Sequence, residues 1–207
     1  MIAFVHGYQL ENCAHISHSM FRARAQLRLR YNVSSSFTRR VSQDGQDKYD
    51  RLNALYIAAL DPRGQHIGSM RLLPTTGATE LNERHSNLFD GRTVRDQKVW
   101  ECSKFCAEFD EKGSVAKALL GAGAFAMRKM GVEALITILD ESAERTYRRN
   151  NLMPEIASFG IQRRNALRVG VWRFNEAQYH ALLKDAELIE SDLNASYYCE
   201  SSSMLAG

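Results

Sequence analysis

No two cysteines in this 207-residue chain are spaced as Cys-x-x-Cys; Cys13, Cys102, Cys106 and Cys199 are scattered singly. That scatter excludes a zinc ribbon and gives no disulfide framework, so a reduced cytoplasm is the expected compartment. Long apolar runs are missing as well. Nothing approaches the roughly 18 residues of a membrane span, and His6, Gln9, Glu11, Asn12 and His15 interrupt the stretch where a signal peptide needs apolar residues. A bias of charge is nearly absent: 27 Lys+Arg against 24 Asp+Glu gives a net +3, too little to argue for nucleic acid. No internal repeat, low-complexity tract or Pro/Gly/Ser-rich linker divides the chain. His15-x-x-His18 has ligand-like spacing but reads as ordinary surface or core histidines, and no metal site is expected.

What is present is an ordinary globular composition, 44% hydrophobic and 25% charged, expected to form one domain over residues 1–200 with a flexible tail at 201–207. The segment from Gln9 to Arg30 is rich in Ala, Leu, Met and Arg and suits a helix. Ala54 to Leu60 and Gln65 to Leu73 read as strands joined by the turn Asp61-Pro62-Arg63-Gly64, hence an antiparallel hairpin. Thr75 to Gln97 is polar and irregular. Val99 to Phe105 reads as a central strand, and Lys112-Gly113-Ser114 leads into a helix whose apolar face is Val115, Leu119, Ala122, Ala126 and Met130. Gly131 ends it. Val132 to Leu139 is apolar throughout, as in a strand covered on both faces, and Glu141 to Asn150 suits a helix. Ile156 to Arg163 and Val169 to Phe174 read as strands, and Glu176 to Ile189 as a last helix. This order predicts an α/β fold, a three-layer sandwich with a mixed central sheet.

Three constellations carry chemistry. Asp44, Asp47 and Asp50 surround Tyr49 just before the first hairpin strand, with Glu101 on a later strand. Meeting at one end of the sheet, they would favour a cationic substrate and offer a base to an amine; alone, three aspartates in seven residues also describe a solvated turn. Arg71 sits inside an apolar strand, either at an edge or as a grip for a carboxylate. In Trp100-Glu101-Cys102-Ser103-Lys104-Phe105, alternation puts Glu101 and Ser103 on one face and Cys102 and Lys104 on the other.

Together these segments resemble the acyl-homoserine-lactone synthases, the autoinducer synthases of quorum sensing, over residues 20–165. The resemblance is carried by Arg22-Ala23-Arg24-Ala25-Gln26, Asp47-Lys48-Tyr49-Asp50, Arg71-Leu72-Leu73-Pro74-Thr75-Thr76 and Trp100-Glu101-x-Ser103-Lys104-Phe105, in order and at family-like spacing. It implies a Gcn5-related N-acyltransferase-like fold with no cofactor. It also implies two substrates, S-adenosylmethionine and an acyl thioester of acyl carrier protein or coenzyme A, with no nucleic-acid or membrane partner. The matched positions are Arg24, Asp47, Asp50, Arg71 and Glu101, with Ser103 and Lys104 beside them. The catalytic base is expected to be Glu101, or Asp47 through a water, freeing the acceptor amine to attack the thioester.

The resemblance extends to Leu135, Thr137 and Leu139 as an acyl tunnel, which are equally well core. It also covers a basic docking surface for an acidic carrier at Arg145, Arg148 and Arg149, with Arg163, Arg164 and Lys112. The carrier's phosphate is expected near the helix start at Lys112-Gly113-Ser114, where Ser114 also suits a plain N-cap. Where the family carries aromatics near the amine donor, this chain has Arg28, Tyr31 and His85, and Lys104 stands for an arginine. These departures keep two other readings open: an N-acyltransferase with a different amine acceptor and no lactone closure, and a non-catalytic carrier-binding remnant.

Overall fold

The computed structural model describes residues 1–30, 45–50, 53–108, 110–149, 151–157 and 167–202. Seven strands form one sheet: β1 (Ile2–His6), β2 (Leu55–Leu60), β3 (His66–Pro74), β4 (Val99–Ala107), β5 (Ala134–Leu139), β6 (Glu155–Ala157) and β7 (Arg168–Arg173). Their order is β1-β2-β3-β4-β5-β7-β6, with only the β4–β5 pair parallel. Among the described residues the helices are α1 (Ala14–Arg30), α2 (Glu80–Arg84), α3 (Ser114–Met130), α4 (Glu141–Arg149), α5 (Glu176–Asp185) and α6 (Glu190–Ser202). The expected α/β sandwich with a mixed sheet is therefore the observed architecture.

Period-two alternation decides which face each strand residue serves. On β2, Leu55, Ile57 and Ala59 join a core with Leu119, Phe125, Tyr179, Leu183 and Leu193 of α3, α5 and α6. Tyr56, Ala58 and Leu60 pack against Ile16, Met20 and Phe21 of α1 on the other face. Helix α3 ends at Gly131, whose φ of 67° lets its amide return to the Met127 carbonyl.

Several expectations shift. Strand β1 was not anticipated; a short edge strand with four apolar residues, Ile2 to Val5, is stabilised by β2 pairing, which local sequence does not encode. Helix α1 begins at Ala14 rather than Gln9, after a 3-10 turn at Gly7–Gln9. The stretch 75–97 holds α2 and a 3-10 turn at Ser86–Phe89. The helix expected over Glu176 to Ile189 ends at Asp185, just before Glu187 adopts a φ of 52°, and a further helix, α6, follows that was not anticipated. Gly113 rather than Ser114 caps α3, and the Asp110 carboxylate accepts the Ser114 and Val115 amides at 2.9 and 3.3 Å. The amides expected to await a phosphate thus already hold an anion of the chain itself. Of the strand expected at 156–163, residues 158–163 lie outside the described residues, as does the tail from 203.

Two irregularities position the site. Between β3 and β4, Ser69 faces Cys106 and Arg71 faces Ser103, so β4 carries one extra residue, and Lys104 there has a φ of 56°. Between β4 and β5, pairing covers only Val99–Glu101 against Ala134–Ile136; beyond Glu101 the two strands run on without pairing to each other. Because β4 and β5 are parallel, this parting lies at their carboxyl ends, where open α/β sheets bind ligands.

Leu119, fully buried in the main core, gives a test of the packing. Leu119→Ala is expected to cost about 2–5 kcal/mol, read as a lower urea midpoint at unchanged denaturant slope.

Candidate active site

The strand that alternation drives through the middle of the sheet carries a guanidinium at its centre. Arg71 is 0% exposed and uses four of its five N–H donors. Nη1 donates to Asp47 Oδ1 at 2.7 Å and Asp50 Oδ1 at 2.9 Å, Nη2 to Asp47 Oδ2 at 3.3 Å, and Nε to Ser103 Oγ at 3.3 Å. The aspartates arrive on a short turn in which Asp50 Oδ2 accepts the Asp47 amide at 2.7 Å and Asp47 Oδ1 accepts the Tyr49 amide at 2.9 Å. Gly45 opens that turn at a φ of 86°, so close to α1 that a Cβ there would lie 1.9 Å from the Phe21 carbonyl oxygen. Asp50 Oδ1 also accepts Arg24 Nη1 at 3.1 Å and the Tyr56 hydroxyl at 2.8 Å.

Lys104 is not where alternation puts it. The extra residue in β4 returns its side chain to the Glu101 and Ser103 face, where Nζ lies 2.9 Å from Asp47 Oδ2 and 3.3 Å from Glu80 Oε2. Glu80 in turn pairs with Arg84 at 3.1 Å. The result is a chain of alternating charge, Arg24, Asp50, Arg71, Asp47, Lys104, Glu80 and Arg84, joining α1, the aspartate turn, β3, β4 and α2. Tyr49, fully buried, lies under it with Arg71 and Arg84 at 5.9 and 5.6 Å from its ring centroid, and donates its hydroxyl to Glu83 at 3.1 Å. Lys48 pairs with the same Glu83.

Glu101 is the exception in this set. It is 2% exposed; Oε2 accepts the Leu81 amide at 2.7 Å, while Oε1 is buried with no hydrogen-bond partner. Burial pushes its carboxyl above the usual carboxylate range, and the Leu81 amide and Arg71 oppose this only in part. Asp47 goes the other way: burial would raise it, but Arg71 and Lys104 outweigh burial and hold it well below the usual range. Two carboxylates on one face are thus driven apart, one toward accepting a proton and one toward staying a fixed anion. Arg24, 5% exposed, also keeps a buried Nε with no partner. Arg24, rather than the nearly saturated Arg71, therefore has donor capacity left for a ligand.

The residues expected to act together thus meet: Arg24, Asp47, Asp50, Arg71, Glu101, Ser103 and Lys104 form one buried set. Asp44, Tyr31, Arg163 and Arg164 lie outside the described residues, as does the Arg28 side chain. Leu135, Thr137 and Leu139 are buried on the opposite face of the sheet. Leu135 sits in the main core, and Leu139 packs with Leu120, Tyr147, Phe105 and Trp172. Arg145, Arg148 and Arg149 are exposed on α4, which follows β5 at the parting end. Arg145 pairs with Glu141 at 2.6 Å, and Arg148 reaches Glu144 at 4.0 Å. Lys112 is exposed in the turn before α3. Sequence reasoning missed Tyr56, Thr79, Glu80 and Arg84. The period-two placement of Tyr56 opposite Arg71 and the capping pattern Thr79-x-x-Asn82 were the available signals. Among the described residues no cluster of His, Cys, Asp or Glu could hold a metal ion, and no helix is long and apolar enough to cross a membrane.

A mixed sheet whose parallel central strands part beside a buried acid and arginine cluster defines a Gcn5-related acyltransferase fold. An aminoglycoside 6'-acetyltransferase superposes with a TM-score of 0.53 at 11% identity, covering 84% of this chain and 97% of its own. Closer in shape is a CoA-dependent acyl-homoserine lactone synthase, BjaI, solved with SAM and isopentyl-CoA. Its TM-score is 0.75 at 18% identity, with 91% of this chain and 90% of that chain covered. In sequence, the autoinducer synthase profile matches residues 8–167. An acyl-homoserine-lactone synthase of Rhizobium etli is 31% identical over 163 residues, 74% of each chain. The protein belongs to the autoinducer synthase family and is an acyltransferase of that type.

Arg71→Met would leave Asp47 and Asp50 buried without their main counter-charge, and is expected to cost about 3–5 kcal/mol at neutral pH. Asp47 has a depressed carboxyl, so its pairing stabilises the fold above the ordinary aspartate pKa, about 3.9, and that contribution is lost as pH falls through the folded value. The stability gap between wild type and variant, followed by urea unfolding, should therefore be widest near neutrality and narrow in acid.

Proposed function

We propose that this enzyme transfers an acyl group from a carrier thioester to the α-amine of S-adenosylmethionine, and that the product closes to an acyl-homoserine lactone with release of methylthioadenosine. The observation that carries this reading is Glu101: a desolvated carboxylate with one unpartnered oxygen, at the point where β4 and β5 stop pairing. An amine bound there gives its proton to Oε1 and attacks the thioester carbonyl. The opening where β4 stops pairing with β5 beyond Glu101 is suited to receive the oxyanion at strand backbone amides. The intermediate collapses by expelling the carrier thiolate, which takes up a proton. The acceptor's own carboxylate then attacks its γ-carbon, and the sulfonium leaves as a neutral thioether.

Asp47 and Asp50 are anchors of the acceptor side rather than bases, since both are committed to arginine. The unpartnered Nε of Arg24 suits the acceptor's carboxylate. The acyl chain is assigned to the face of Leu135, Thr137 and Leu139, opposite the charged set. The donor is acyl carrier protein or coenzyme A, and the exposed arginines of α4 with Lys112 suit an acidic carrier. A second reading, transfer to a different amine without lactone closure, is favoured by Lys104: its ammonium already opposes Asp47 and Glu80, which lessens the negative charge left for a dicationic acceptor.

Mass spectrometry of reactions with S-adenosylmethionine and acyl thioesters of both carriers tests this directly. Acyl-homoserine lactone with methylthioadenosine supports the first reading; an acylated but unlactonised amine, or turnover only with another amine, replaces it with the second. Glu101→Gln is expected to lower transfer by about 10²–10⁴-fold while melting no lower than wild type, because the substitution removes a buried charge. Arg148→Glu combined with Arg149→Glu should raise KM for acyl carrier protein more than for a free acyl thioester; equal effects would remove the docking surface.

A further inference from the structure

The Leu81 amide that holds Glu101 Oε2 is available because of how the turn before it is built. Thr79 is extended, with φ −132° and ψ 156°, and its hydroxyl accepts the Asn82 amide at 3.1 Å. Its carbonyl accepts the Glu83 amide at 3.1 Å. Leu81, in the first turn of α2, has no acceptor within the helix and donates to Glu101 at 2.7 Å, in the orientation that the capped turn holds. The arrangement is buried: Thr79 and Leu81 are both 0% exposed, so water has no access to replace a lost hydroxyl. Asn82 pins the turn from behind, with Nδ2 donating to the Thr75 and Val94 carbonyls at 3.3 and 2.8 Å and Oδ1 accepting the Val94 amide at 2.8 Å.

The groups that face Glu101 are Arg71 from β3, Ser103 from its own strand and Glu80 from α2. Lys104 is bound to Glu80 and Asp47, and the neighbouring Cys102 thiol, pushed up to about 12 by burial, stays neutral through the working range. Thr79 contributes no charge to this set. Its influence runs through the Leu81 amide.

We propose that Thr79 is a positioning residue for acyl transfer: by capping Asn82 it presents the Leu81 amide to Oε2 of Glu101 and so fixes Oε1 toward the acceptor amine. The proposal rests on Glu101 being the base. Without the hydroxyl the Asn82 amide loses its acceptor, the first turn shifts to compensate, the Leu81 amide holds Oε2 less firmly, and the neutral acid gains relative to the carboxylate.

The experiment is the pH dependence of kcat/KM with S-adenosylmethionine and an acyl-coenzyme A, followed by released thiol. Wild type is compared with Thr79→Val, Thr79→Ser and Glu101→Gln. The expected result is that Thr79→Val moves the acid-side midpoint up by about one unit at unchanged KM for the thioester, and that Thr79→Ser restores it. A wild-type midpoint in Thr79→Val, whatever its rate, overturns the proposal, as does Thr79→Ser behaving like Thr79→Val. Thr79→Ala serves the same comparison where Thr79→Val does not fold. A Glu101→Gln enzyme that keeps its acid limb overturns the base assignment itself; one that loses the limb while Thr79→Val keeps the wild-type midpoint overturns only the role of Thr79.

Discussion

The buried guanidinium of Arg71 is the constraint on which the rest of the site depends. A charge with no exposure to water is tolerated only where opposite charge and hydrogen bonds surround it. Asp47 and Asp50 supply both, and in doing so they tie the turn that carries them to the sheet. Asp50 brings in Arg24 of α1, and Asp47 brings in Lys104 of β4 and through it Glu80 of α2. A single strand residue thus fixes the relative positions of four other elements on one face. On the opposite face α3, α5 and α6 pack through apolar side chains, and their ion pairs, Arg128 with Glu176 and Glu190, lie at the exposed surface rather than in the interior.

Two departures from regular sheet geometry turn this frame into a site. The extra residue at Lys104 brings an ammonium to the acid face that strict alternation would have sent to the core. The end of β4–β5 pairing at Glu101 and Ile136 then opens the sheet beside that carboxylate. Both lie within three residues of Glu101, so the carboxylate sits where the sheet changes from closed to open. On the function proposed above, acceptor and donor meet from opposite faces across that opening.

Much of this was legible in the sequence because it rests on local pattern. The hairpin of β2 and β3 follows from Asp61-Pro62-Arg63-Gly64, α3 from the spacing of Val115, Leu119, Ala122, Ala126 and Met130, and β5 from an unbroken apolar run. The motifs around Asp47, Arg71 and Glu101 marked the site, and the structure joins them. What was not legible depends on partners distant in sequence. Strand β1 exists by pairing with β2; Lys104 changes face because β3 and β4 pair out of step; the α3 amides expected to hold a phosphate are taken by Asp110. Arg71 reads as a carboxylate grip until its two aspartates are seen to use that capacity.

That last point bears on how the acceptor is chosen. Asp47, Asp50 and Glu80 each already oppose a cation of the protein, so on the function proposed above the carboxylate left to face an incoming amine is Glu101. Its basicity comes from burial rather than from a neighbouring acid, and it is therefore sensitive to whatever excludes water from that face. Lys104 adds to this. A guanidinium spreads its charge over a planar fork and can grip a carboxylate at two points, whereas an ammonium is a point charge on a flexible stem. Here that ammonium bridges Asp47 and Glu80, one link between the aspartate turn and α2 beside those that Lys48 and Tyr49 make to Glu83. On the function proposed above, an acceptor carrying its own cation would compete with Lys104 for those same acids. On that proposal, acceptor selectivity is a contest between two cations for one pair of carboxylates, with Glu101 set beside them.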